Sequence, residues 1–277
     1  MKEMEQPLAD ALKISFLELI SLVGPLLVIG LILGIMERRA NGYFYAAFGY
    51  KGILATAWLG TPIHELGHAL MCLVFGHKIT DIKLLMINRT DGALGYVSHS
   101  YNRRSIYQTV GNFFIGIAPI ISGIGVLFLC LHFLLPNSFN VFEIYLQTSL
   151  MSNPYKLTFI KGFGDTSFVL IQSLFTLRNL LNPNFWIFLL IAICISSHMA
   201  LSWADIKGAA HGLVTLYLVI FILTIMGNSI GVNMYRYISQ VNRYNAYILT
   251  LSVLALICSL FSLGLSFMVY NLKRNRS

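Results

Sequence analysis

Residues Thr61-Pro62-Ile63-His64-Glu65-Leu66-Gly67-His68-Ala69-Leu70 place a His-Glu-x-x-His pattern inside an apolar run from Gly52 to Phe75. A run of that length crosses about 30 Å of hydrocarbon as a helix. On a helix, residues four apart sit one turn apart on the same face. His64 and His68 therefore aim two imidazoles at one point, with Glu65 beside them, which is the geometry of a zinc site with an adjacent general base. Ionisable groups at membrane depth are costly, about 2.5–3.5 kcal/mol each on insertion scales, and mark function.

The rest of the chain agrees with a membrane setting. Of 277 residues, 57% are hydrophobic and 11% charged, against about 25% charged in a soluble domain. The net charge of +8 resides in short loops and tails, as membrane topology requires. No basic, aromatic face for stacking bases is present, so nucleic acid is excluded as a partner. The first apolar run, Ile14 to Met36, is too long for a signal-peptide core and ends in Glu37-Arg38-Arg39, so it is expected to remain as a span.

Six spans are expected: 14–36, 52–75, 105–135, 185–199, 213–226 and 246–269. Gly24-Pro25 is expected to kink the first, and Gly60-Thr61-Pro62 to bend the second before His64. The aromatic segment from Asn41 to Lys51 reads as an interface belt. Between the second and third spans, Ile82–Ile87 and Leu94–Ser98 flank Asp91-Gly92, a β-hairpin pattern that offers an edge to an extended peptide or serves as a plain connection. The long connection 136–184 contains two apolar pieces, 142–151 and 167–181, expected to lie in the membrane interface. The fold class is thus an all-α membrane protein of about six transmembrane helices with a small hairpin, forming one domain over 1–277 with its core at 52–212. Basic residues near the inner ends, such as Lys78, Lys83, Arg103, Arg104, Lys207, Lys273 and Arg274, favour cytoplasmic N- and C-termini. The expected location is a prokaryotic cell membrane, with the lipid bilayer as solvent.

A catalytic zinc takes three protein ligands and leaves one position open. Cys72 lies two turns beyond His64, about 12 Å along the axis, too far to share an ion with the pair. It reads, like Cys130, Cys194 and Cys258, as a small core hydrophobe. His77 and His99 read as surface or interfacial histidines. Asp205 follows an apolar span on the side where the topology puts the motif, and is the best third ligand. The alternative is an N-cap of the following helix with no metal role. His198 precedes it by seven residues, on the same face if the helix is continuous, where it supports Asp205 or a substrate carbonyl.

The run TPIHELGHALMCLVFGHKI resembles the metal-binding helix of the site-2 protease family, the intramembrane zinc metalloproteases. The resemblance rests on His64-Glu65-x-x-His68 and on the order of elements from Gly52 to Gly212. Ala118-Pro119-Ile120-Ile121-Ser122 stands where that family has Gly-Pro-x-x-Asn. Ala204-Asp205-Ile206-Lys207-Gly208 stands for its Leu-Asp-Gly motif. The resemblance implies Zn2+ held by His64, His68 and Asp205, and Glu65 as general base and acid. It implies supporting places for Asn112 and Ser122, and a transmembrane protein or peptide as substrate. The competing expectation is a metal-binding membrane protein without protease activity, a transporter or a folding factor.

Overall fold

The computed structural model describes residues 2–87, 94–150, 157–230 and 234–275. The elements run α1 (Lys2–Phe48), α2 (Tyr50–Val74), β1 (Lys78–Lys83), β2 (Tyr96–Ser100), α3 (Ile106–Leu134), α4 (Pro136–Leu150), α5 (Leu157–Leu174), α6 (Leu177–Leu180), α7 (Pro183–Ser196), α8 (Trp203–Ser229) and α9 (Met234–Arg274). The protein is helical, with one small two-stranded antiparallel sheet. Among the described residues, four helical segments are long and apolar enough to cross a membrane: 11–48, 106–134, 203–227 and 247–274. They correspond to the first, third, fifth and sixth expected spans and make this a membrane protein. α2 has the length to cross but carries the polar motif. α7, with 14 residues, extends only about 21 Å.

Several boundaries differ from expectation. α1 runs for 47 residues, through Gly24-Pro25 and past Glu37-Arg38-Arg39, because a cluster of charges offers no alternative partner for backbone groups and does not end a helix. The aromatic segment expected as a belt is its last turns and the start of α2, and the chain turns at Gly49 with φ 63°. α2 likewise continues through Pro62. α3 begins where the sequence suggests, with the Ser105 hydroxyl accepting from the Gln108 amide at 3.3 Å.

α3 is the central helix. Phe113, Ile117, Ile120, Ile124, Leu127 and Leu131 are buried along it, and it packs against α2, α7, α8 and α9. The connection 136–184 is less peripheral than an interfacial segment. Its helices α4 and α5 pack on each other and on α9, burying Phe142, Leu146, Leu170 and Leu174. Close helix crossings use small residues, as in membrane bundles. A Cβ on Gly116 of α3 would sit 2.6 Å from the Asp205 carbonyl oxygen of α8, and one on Gly60 of α2 would collide with the Cys194 carbonyl oxygen of α7.

The strands lie nearer the helices than expected. β1 and β2 pair from Lys78↔Ser100 to Lys83↔Tyr96, with an irregularity between Ile79 and Asp81. The expected strands at 82–87 and 94–98 are thus shifted outward toward α2 and α3, and the Asp91-Gly92 turn lies outside the described residues. The hairpin folds back along α2: the Tyr50 hydroxyl, at the start of that helix, donates to the Met86 carbonyl at 2.6 Å. Across the ladder the Tyr96 hydroxyl donates to Asp81 Oδ2 at 2.5 Å and holds that carboxyl below its ordinary range.

Candidate metal centre

Five pieces of chain converge on a cleft of about 700 Å³: the Gly34–Arg38 turn of α1, the motif turn of α2, the segment from Leu94 into β2, Ile115 of α3 and the segment from His198 to Asp205. His64, Glu65 and His68 project into it from α2, and Glu65 and His68 are buried. His64 and His68 bring their Nε2 atoms to 3.2 Å. Asp205 arrives from the first turn of α8, with Oδ1 3.3 Å from His68 Nε2 and Oδ2 3.9 Å from His64 Nε2. The three ligand-type residues expected from the sequence therefore share one point, and their ligand atoms lie within 4.8 Å of one another.

The ring orientations are set by the backbone. His64 Nδ1 lies 2.8 Å from the His198 carbonyl oxygen, and His68 Nδ1 lies 2.8 Å from the Ile115 carbonyl oxygen. A carbonyl only accepts, so each Nδ1 carries the proton and donates. In the neutral imidazoles, both Nε2 atoms then present lone pairs toward each other and toward a carboxylate. Three electron-rich atoms facing inward repel unless a cation sits among them. This donor set, with the outer nitrogens pinned to carbonyls, fits a Zn2+ ion.

Asp205 is a converging carboxylate that also bonds back to the residue capping its own helix. Its Oδ2 accepts from the Ser202 amide at 2.8 Å, and the Ser202 hydroxyl accepts from the Asp205 amide at 3.1 Å. That reciprocal pair is a capping box at the start of α8. The N-cap expected at Asp205 is therefore Ser202, because α8 starts at Trp203; Asp205 sits three residues on, and its bond to the Ser202 amide leaves the carboxyl group facing the histidines.

The expected supports behave differently. α7 ends at Ser196 with Ser197 as its cap, so His198 and Asp205 do not share a helix. His198 supports His64 through its carbonyl, while its own ring meets Thr56 Oγ1 at 3.0 Å and Glu37 Oε1 at 3.5 Å. Ser122 donates to the Ile63 carbonyl at 3.1 Å and abuts Gly67. It fastens α3 to the motif helix and does not touch the ligand atoms. Asn112 is buried one turn before Ile115, and its Nδ2 has no partner among the described residues.

Two contributors escaped the sequence reading. Glu37 looked like the charged end of a span, yet it lines the cleft and accepts from the Ala200 amide at 3.3 Å, bracing the segment that leads to Asp205. Gly95 stands over the proposed base: a Cβ there would lie 2.7 Å from Glu65 Cγ and 2.9 Å from the Lys83 carbonyl oxygen. Neither residue belongs to a pattern visible in one dimension. No family model, curated protein or solved structure matches the chain.

Proposed function

We propose that the chain is an intramembrane zinc metalloendopeptidase, similar to site-2 proteases, that hydrolyses peptide bonds in or near transmembrane segments of membrane proteins. The observation that carries this reading is the convergence of the His64 and His68 Nε2 atoms on the Asp205 carboxylate, with both Nδ1 protons given to backbone carbonyls. His64, His68 and Asp205 would hold Zn2+, which when bound supplies Lewis acidity that polarises a peptide carbonyl and acidifies water to a pKa of about 7.

The protein's own groups do the rest. Glu65 is buried beside the ligands and takes a proton at its carboxylate from the attacking water, then returns it to the leaving amide nitrogen. Gly95 and the first residues of β2, Tyr96 and Val97, form one wall of the cleft and orient an extended substrate backbone alongside it. Burial of the site limits water to what the cleft admits. In the membrane, α2 and α7 join the four long apolar helices as a fifth and sixth crossing, with both termini on the cytoplasmic side of a prokaryotic cell membrane.

The test uses purified protein in proteoliposomes with a single-span substrate. Glu65→Gln is expected to keep its zinc and lose cleavage, and His68→Ala to lose both. Cleavage that survives Glu65→Gln overturns the peptidase reading. Metal flux that survives it supports a transporter instead.

A further inference from the structure

A second group of ligand-type side chains starts on the same helix, one turn past the motif, and is completed by the chain that follows it; one member, His99, also borders the cleft. Cys72, His77 and His99 bring a thiol sulfur and two imidazole nitrogens within 4.8 Å of one another. Cys72 and His77 are buried and His99 is half-buried.

Local backbone geometry builds the group. α2 ends at Phe75, and Gly76 follows with φ 66°. The His77 amide donates to the Cys72 carbonyl at 2.8 Å, and the Gly76 amide to the Leu73 carbonyl at 3.2 Å. These two bonds are the Schellman motif, which returns the second residue past the cap over the residue three before it. In most helices that pair is a hydrophobic contact. Here it is Cys72 and His77, a pair of metal ligands. The hairpin supplies the third member, because β1 starts at Lys78 and its register sets His99 of β2 opposite Ile79.

The nitrogens are also oriented. His77 Nε2 lies 2.8 Å from the Gln108 carbonyl oxygen, so Nε2 donates and, in the neutral ring, Nδ1 presents its lone pair. That lone pair faces His99 Nδ1 at 3.0 Å. The Tyr101 ring stacks on His77 with centroids 5.0 Å apart and holds its plane. Nitrogens on one tetrahedral zinc are about 3.3 Å apart, and a nitrogen and a sulfur about 3.6 Å. An N–H···N hydrogen bond accounts for the two imidazoles but leaves the converging thiol without a role.

We infer that Cys72, His77 and His99 form a second metal site, distinct from the His64/His68/Asp205 centre, which takes a thiophilic late transition-metal ion of the Zn2+ class. Thiolate with imidazole is the donor chemistry that selects such ions over Mg2+ or Ca2+. The bound ion ties β2 to the end of α2. Because β2 also lines the cleft and begins beside Gly95, occupancy of this site sets how firmly the strand stands over Glu65. The site rests on its own residues and does not depend on the peptidase reading.

The test is Co2+ binding to the full-length protein in detergent after removal of endogenous metal. Wild type is expected to bind two Co2+ per chain and to show a thiolate-to-cobalt charge-transfer band in the near ultraviolet. Cys72→Ser should lose the band and one equivalent, and His99→Ala, at a half-exposed strand position, should do the same. His68→Ala should keep the band and lose the other equivalent. A single equivalent with the band retained would sink the His64 centre and leave this site standing. Wild type without the band, or a band that persists in Cys72→Ser, overturns the inference, and that measurement on wild type needs no variant to fold.

Discussion

The two ligand clusters that α2 contributes to are built in opposite ways. The His64/His68/Asp205 centre is long-range: its third ligand comes from a different helix, and its two imidazoles are oriented by carbonyls of His198 and Ile115. The Cys72/His77/His99 group is short-range, made by a helix cap and the hairpin that follows it. A centre assembled from four elements depends on every helix crossing around it. A group assembled within thirty or so residues of chain depends on one turn. The first is therefore the more sensitive to packing, and the second to the conformation of a single glycine.

The largest test of this contrast concerns the long-range centre. Asp205→Ala is expected to remove one metal equivalent and abolish cleavage, as measured by elemental analysis and peptide release, while the thiolate signature of the other group remains. Glu65→Gln should lower turnover by about 10²–10⁴-fold, the usual worth of a general base, with metal content unchanged. Next comes packing. Gly60→Ala forces a methyl against the Cys194 carbonyl and the His198 ring, and overpacking of this kind costs about 1–3 kcal/mol. It should lower the thermal midpoint and weaken metal binding at the His64 centre, because His198 supplies the carbonyl that orients His64.

Gly76→Ala reverses the pattern. A side chain at φ 66° costs about 1–2 kcal/mol and displaces His77 from Cys72, so the thiolate-to-cobalt band should fall while cleavage persists in part. The smallest effect is at the sheet. The Tyr96 hydroxyl holds the Asp81 carboxyl below its usual range. Its contribution to hairpin stability is present above the unfolded-state value of about 4 and is lost as pH falls through the lower folded value. Tyr96→Phe should flatten that acid dependence, read as the change in thermal midpoint between neutral and acidic buffer.

The motif helix and the hairpin's existence are legible in one dimension because each follows from spacing, and Asp205 is legible because it follows an apolar span on the side where the charges place the motif. His77, expected at a surface or interface, is buried, whereas His99 is half-buried. A signal was present, since Gly76 just past a helix marks a Schellman turn and so returns His77 over Cys72, but the reading treated the helix as ending at its last apolar residue. His198 carried no such signal. α7 stops at Ser196, and the partners of the His198 ring, Glu37 and Thr56, lie far away in sequence. The strand bounds differ because the β-favouring runs beside the Asp91-Gly92 turn drew the expectation to 82–87 and 94–98, whereas the strands that pair are Lys78–Lys83 and Tyr96–Ser100, next to α2 and α3.

Gly95 has a consequence for engineering the molecule. With Glu65 carbon at 2.7 Å from where a side chain would begin, the size of residue 95 acts as a set-screw on the carboxylate. On the proposed peptidase function, replacing it with alanine alters none of His64, His68 and Asp205 and is expected to detune proton transfer at Glu65 while metal content stays constant. Graded substitutions there would yield a series of slow variants suited to trapping a bound peptide.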